Sequence, residues 1–531
     1  MPRAHRLLFV ATLLLLAAPL AATPPPATPL RVLDGAVLPA DKIVNGVLEN
    51  LQPSVALIRD QVGALCSGTL IGCSHVLTAT SCFCTDPSAG LVLTGLECAQ
   101  RHDLLDPARY EVFFQHAGVV PVSAVYIHPQ FLFEEGQERS DVALLRLARP
   151  VDGIAPTPIS RAQRVPAGMS GTIVGFGRAA GADDLGLKRT GRIKTVACTA
   201  VPSEHNVCWR FADPLGPPGT NSNSCDGDAG GPLFVDYGLG PVVAGIISSG
   251  TNAACEPVDD AWSAEVFAEQ NLIDAVGGED LLRTSCGSLP QAGREGTIVA
   301  GSSAILGPTV TEQRYTFEVP RGTALLRVAL HGTEFEGSPD PDFDLFLRAG
   351  APAAPNAADC SSTEAGLVEF CEVQVPEPGT WHALVRRVLG AGRFQIVATM
   401  FNATPSICTP GPNTLCIDNE PGDNRFEVKV NYRTATGESA AGKAIDLAQL
   451  GVARGGLFWF FTPDNPELMV KVLNACTPGL GNRFWVFLTA GTDVGYDLTV
   501  TDTTTGLSRS YSNPLGTPAL PVQDVNAFAC P

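Results

Sequence analysis

The 531-residue chain is poor in charge, and in positive charge above all: 35 Lys and Arg face 54 Asp and Glu, giving a net charge of −19. With no basic stripe anywhere, that balance excludes a nucleic-acid partner, because binding phosphates needs clustered cations. Long apolar runs are equally scarce. One extends from Leu7 to Leu20 behind a basic start, Met-Pro-Arg-Ala-His-Arg, and ends in Ala21-Ala22-Thr23. Its length and flanks fit a secretory signal over residues 1–22 rather than a membrane span. No later stretch has the roughly 18 apolar residues that a span requires, so none is expected. What the chain has in quantity is 54 Gly and 43 Pro, which with many Val, Thr and Phe favours short strands and turns over helices. All sixteen cysteines follow the signal and read as disulfides of an oxidising compartment. A zinc site at Cys82-Phe83-Cys84 is set aside, since no second Cys or His pair stands at ligand spacing. The length suggests two to four domains.

Residues 23–42 are rich in Pro, Ala and Thr and are expected to form a flexible, propeptide-like leader. It ends in Asp41-Lys42, followed by Ile43-Val44-Asn45-Gly46. Further on stand CSGTLIGCSHVLTATSC from Cys66 to Cys82, then Ile127-His128-Pro129 ahead of Asp141-Val142-Ala143-Leu144-Leu145, then Gly175-Phe176-Gly177, and finally Ser224-Cys225-Asp226-Gly227-Asp228-Ala229-Gly230-Gly231-Pro232. In this order the five motifs resemble the landmarks of trypsin-like serine proteases over residues 43–286. The resemblance implies a fold of two β-barrels, activation by a cut after Lys42, and a buried pair between the freed Ile43 amine and Asp228. Such a pair keeps both partners or neither, because a stranded buried charge costs about 3 to 5 kcal/mol.

Mapped motif by motif, the resemblance also shows what is missing. Asp141 holds the place of the carboxylate that orients the catalytic histidine, but Ser81 stands where that histidine belongs, and Ala229 replaces the nucleophilic serine. A hydroxyl is no general base near neutral pH, and a methyl group cannot attack a carbonyl. His75, six residues before Ser81 on a strand, lies too far away to substitute, and His128 is structural in the family. The amides of Gly227 and Ala229 remain available as an oxyanion hole. Asn223, Ser248 and Gly250 fall in the specificity pocket. Asn223 stands where trypsin carries an aspartate and Ser249 replaces a common tryptophan, so a basic ligand side chain is expected to lack its ion partner. The family's bridges are implied for Cys66 with Cys82, Cys198 with Cys208, and Cys225 with Cys255. Cys73, Cys84, Cys98 and Cys286 remain, with three possible pairings. Apolar spacing near residues 264–275 suggests the family's closing helix.

Beyond a linker near residue 290 the pattern turns to alternating strands. Arg314-Tyr315-Thr316-Phe317-Glu318-Val319, Asp342-Phe343-Asp344-Leu345 and Pro378-Gly379-Thr380-Trp381 resemble the bacterial pre-peptidase C-terminal domain, a small β-sandwich, over residues 295–402. Some members of that family bind calcium. Asp340, Asp342 and Asp344 could share one face as calcium ligands, or form a solvated strand edge. Cys360 and Cys371 are expected to close a loop. Residues 406–531 are expected to form a second β-rich module, with a disulfide of Cys408 and Cys416 at its start and Cys476 and Cys530 tying its end down. Its aromatics, among them Trp459 and Trp485, suit core packing better than a carbohydrate platform.

The expectation is a mainly β, secreted protein in which a two-barrel trypsin-like domain precedes two sandwiches. Its function is expected to be binding of an extracellular protein or polysaccharide with the chemistry lost. The alternatives are an active serine endopeptidase and adhesion through the C-terminal modules. Calcium is the one cofactor under consideration.

Overall fold

The computed structural model describes residues 27–32, 43–60, 65–86, 88, 90–178, 185–287, 296–300, 303–334, 340–403 and 405–530. The expected signal and the Lys42 cut site lie outside these residues.

Two closed barrels form the trypsin-like part. The first runs Gly118–Ile127, Ala143–Leu147, His75–Thr78, Leu65–Leu70, Val55–Asp60 and Tyr110–Phe114, and closes back on its first strand. The second runs Ser170–Gly175, Pro232–Asp236, Pro241–Gly250, Asp259–Glu265, Asn206–Phe211 and Arg189–Val196, closed by pairing of Ser170–Gly175 with Arg189–Val196. Alternation is clear in Arg189–Val196, which buries every second residue, placing Ile193 in the core and Arg192 and Lys194 outside, whereas His75–Thr78 and residues 232–235 are buried at consecutive positions. The closing helix starts later than its apolar spacing suggests. Residues 259–265 are strand, because Ala264 pairs with both Asn206 and Ile246, and only Gln270–Gly277 is helical.

The first sandwich stacks a sheet containing Glu312–Val319, Gly379–Leu389, Asp342–Ala349 and Cys360–Ser362 on one containing Gly296–Ala300, Gly392–Asn402, Thr323–Glu334 and Glu369–Gln374. The leader is corrected here. Thr28–Pro29 pairs in parallel with Glu312–Val319, and Arg31–Val32 pairs antiparallel with Gly296–Ala300. Leu30 is thereby buried among Tyr315, Phe317 and the other core residues. These leader residues are edge strands, since the unpaired edges of both sheets accept backbone donors and acceptors from any chain that reaches them. The second sandwich packs Phe426, Phe458, Phe460 and Phe484 inward, so these aromatics serve its core.

All sixteen cysteines are paired. The six pairs suggested by sequence are present, and the remaining four resolve into Cys73–Cys286 and Cys84–Cys98. Among the described residues no helix is long and apolar enough to cross a membrane.

Candidate functional site

The loop carrying Ala229 is shaped by glycines. Gly230 has φ +84°, and a Cβ there would lie 2.1 Å from Thr78 Oγ1 and 2.2 Å from the Ser67 carbonyl. This close approach of the second barrel to the first defines the cleft. Ser67 then fixes the peptide planes: its N–H donates to the Ala229 carbonyl (2.9 Å) and its Oγ donates to the Gly227 carbonyl (2.9 Å).

Ser81 lies in a single 3-10 turn, Thr80–Cys82, after the strand His75–Thr78. Its N–H donates to Asp141 Oδ1 (2.8 Å) and its Oγ to Oδ2 (2.9 Å). Ser248, assigned to the specificity pocket from sequence, donates its Oγ to the same Oδ2 (2.7 Å). The buried Asp141 therefore has its donors without an imidazole. Burial raises its carboxyl above the usual range, against the pull of the hydrogen bonds from Ser248 and Ser81. The other histidines are elsewhere: His75 Nδ1 contacts Asp280 Oδ2 (2.8 Å), and His128 and His205 share the buried Glu269.

Asp228 is fully buried and accepts from the Gly177 amide (2.8 Å) and the Cys225 amide (2.9 Å). Burial pushes its carboxyl up to about 7, opposed by those two amides and by the positive charge of Arg189. Ile43 is buried beside Ile173, Ile193 and Trp209, and Val44 bridges to Asn223. In the uncut chain Ile43 carries a peptide nitrogen, so the expected ammonium pair with Asp228 is not made.

Asn223 is tied to a buried carboxylate that the sequence motifs do not single out. Asn223 accepts from Trp209 Nε1 (3.0 Å) and donates its Nδ2 to Asp259 Oδ2 (2.6 Å). Asp259 Oδ1 takes Thr251 Oγ1 (3.0 Å) and the Asn252 amide (2.9 Å). These three donors are neutral. The carboxylate sits under the pocket wall, where a Cβ on Gly250 would lie 2.5 Å from Asp259 Oδ2. Sequence reading passed over Asp259, whose only signal is an aspartate four residues after Cys255.

The three aspartates considered for calcium do not converge. Asp344 is paired with Arg386 (2.6 Å), Asp342 accepts from the Gly366 amide (3.1 Å), and Asp340 is exposed. Among the described residues no group of three or more His, Cys, Asp or Glu is placed to hold a metal.

Two six-stranded β-barrels in sequence fit the trypsin class of fold. Comparison agrees: residues 45–259 match the Trypsin family and residues 311–387 the Bacterial pre-peptidase C-terminal domain. The chain thus carries a trypsin-like domain followed by a pre-peptidase C-terminal domain. Among curated proteins it is 25% identical over 206 residues to Phenoloxidase-activating factor 3 of Holotrichia diomphalia, covering 36% of this chain and 58% of that protein. It is 26% identical to Tryptase of Mus musculus over 36% of this chain and 70% of that protein. With Glucanase inhibitor protein 4 of Phytophthora infestans it shares 28% identity over 36% of this chain and 71% of that protein. The chain therefore spans little more than half the length of the first of these relatives.

Proposed function

We propose that the trypsin-like domain is a secreted binding frame that receives an extended protein segment in its cleft without hydrolysing it. The observation that carries this reading is the self-contained Asp141: Ser81 and Ser248 supply its donors, and Ala229 occupies the nucleophile's position. Loss of nucleophile and base together costs roughly 10⁶ in turnover, about 8 kcal/mol of barrier. The eight disulfides suit an extracellular setting. One similar protein, of Phytophthora infestans, is named a glucanase inhibitor and not a protease, which supports this reading.

Asp259 names the ligand class. A buried carboxylate with only neutral donors favours a ligand that brings a positive charge to it, so the ligand class it suggests is a lysine or arginine side chain. The test is a fluorophosphonate probe with a peptide-substrate panel, applied to the chain and to a Ser81→His, Ala229→Ser double variant, each cut after Lys42. An inert parent and a labelled, hydrolysing double variant support a preserved frame with its reagents removed. Turnover by the parent returns the chain to the active endopeptidases.

A further inference from the structure

His331 belongs to the strand Thr323–Glu334 of the first sandwich, yet its imidazole is buried within the trypsin-like domain. It is wedged between Phe113 of the first barrel and Phe176 at the entry to the loop that follows Ser170–Gly175, with ring centroids 5.5 and 5.6 Å away. Its Nδ1–H donates to the Gly186 carbonyl (3.0 Å), and its Nε2 accepts from Gln115 Nε2 (2.9 Å). Beside it, Gln395 of the same sheet accepts the Lys188 amide (3.2 Å) on Oε1 and donates Nε2 to Asn50 Oδ1 (2.8 Å). Gln115 Oε1 and Asn50 Nδ2 are left without partners, but the bonds made by His331 and Gln395 are costly to break once buried, so they hold the sandwich in a defined seat.

The grip continues to the cleft. The Gly186 amide donates to the Phe176 carbonyl (2.7 Å), and the Phe176 amide donates to Ser67 Oγ (2.9 Å). That hydroxyl donates to the Gly227 carbonyl (2.9 Å), while the Gly177 amide donates to Asp228 Oδ1 (2.8 Å). The pair Phe176–Gly177 is thus held from one side by the sandwich and holds the Ala229 loop from the other.

We infer that His331, assisted by Gln395, is a positioning residue of the cleft: the sandwich seats Phe176–Gly177 and, through them, the loop Gly227–Ala229. Whatever binds in the cleft and whatever binds the sandwich are then coupled reciprocally. This role stands whether the cleft cuts or only binds.

Amide hydrogen exchange on the full-length chain tests it. His331→Ala is expected to speed exchange in residues 174–178 and 225–232 by roughly tenfold or more while leaving the first-barrel strand 143–147 unchanged. Thr399→Val removes another buried bond of the same interface, the one to His116 Nδ1 (2.5 Å), without touching Gly186 or Phe176, and is expected to leave 225–232 unchanged. Equal acceleration by both variants, or none at 225–232, overturns the inference. Should His331→Ala not fold, His331→Phe fills the space between the two rings and removes the bonds to Gly186 and Gln115. A folded Phe variant with unaltered exchange at 225–232 overturns the inference as well, and acceleration confined to 174–178 and 225–232 supports it.

Discussion

Asp141 accepts hydrogen bonds from Ser81 and Ser248 in a space that in an active protease is shared with an imidazole, which is why restoring the histidine alone is not expected to restore chemistry. The nucleophile must return with it. The residue with the sharper consequence for recognition is Asp259. Asp259→Asn keeps the size of the side chain and removes its charge. Its expected effect is a loss of roughly tenfold or more in affinity for benzamidine, a small planar cation, measured by calorimetry on the full chain. Unchanged affinity would remove Asp259 from the pocket. Asn223 is legible from sequence as a pocket residue by its place two before Cys225. Asp259 is not, because its relation to Asn223 is fixed by the pairing of Asp259–Glu265 with its neighbours and not by any local pattern.

Among the elements, the loop Asp226–Gly231 is the least tolerant of change. Gly230→Ala would force a methyl group against Thr78 and the Ser67 carbonyl at a backbone angle that disfavours it. A destabilisation of about 2 to 4 kcal/mol is expected, read as a shift in the chemical denaturation midpoint. Ala229→Ser, by contrast, adds one hydroxyl at a partly exposed position and should leave that midpoint within about 0.5 kcal/mol of the parent. The two barrels were legible through the order of the five family motifs, since strands such as Val55–Asp60 and His75–Thr78 are buried on both faces and do not alternate. The start of the closing helix was not, because Ala264 and Val266 satisfy helical spacing and a buried strand end equally well.

Across the whole molecule, the junction between the trypsin-like domain and the first sandwich is expected to weaken in acid. Burial holds His116 down at about 3 and His331 at about 4, against an ordinary value of 6.5, with the positive charge of Lys188 adding to both. Both are neutral in the folded chain and take up protons on unfolding. Their contribution to stability is complete above about pH 6.5 and is lost as pH falls toward 4. Asp228 and Glu369, raised to about 7 by burial, act with the opposite sign: their contribution declines as pH rises through that value. The histidine effect is therefore read as a difference. The fall in melting temperature between pH 7 and 4.5 should be smaller for His116→Gln than for the parent chain, and an equal fall would show that His116 is not buried neutral at this junction.

The sequence by itself determined the placing of Ser81 and Ala229 at two of the motif positions, the strand-rich architecture, and the cysteine pairs that match the trypsin pattern. Each of these is a matter of residue identity at a motif position or of local periodicity. Only the tertiary structure decided that Cys73 pairs with Cys286 across 213 residues, that Leu30 belongs to a sandwich formed nearly 300 residues later, and that His331 sits in the core of a neighbouring domain. The physical reason is common to all three. Which distant segments meet is settled by the register and closure of sheets and by the burial of whole faces, and these are properties of the packed chain that no short stretch of residues carries.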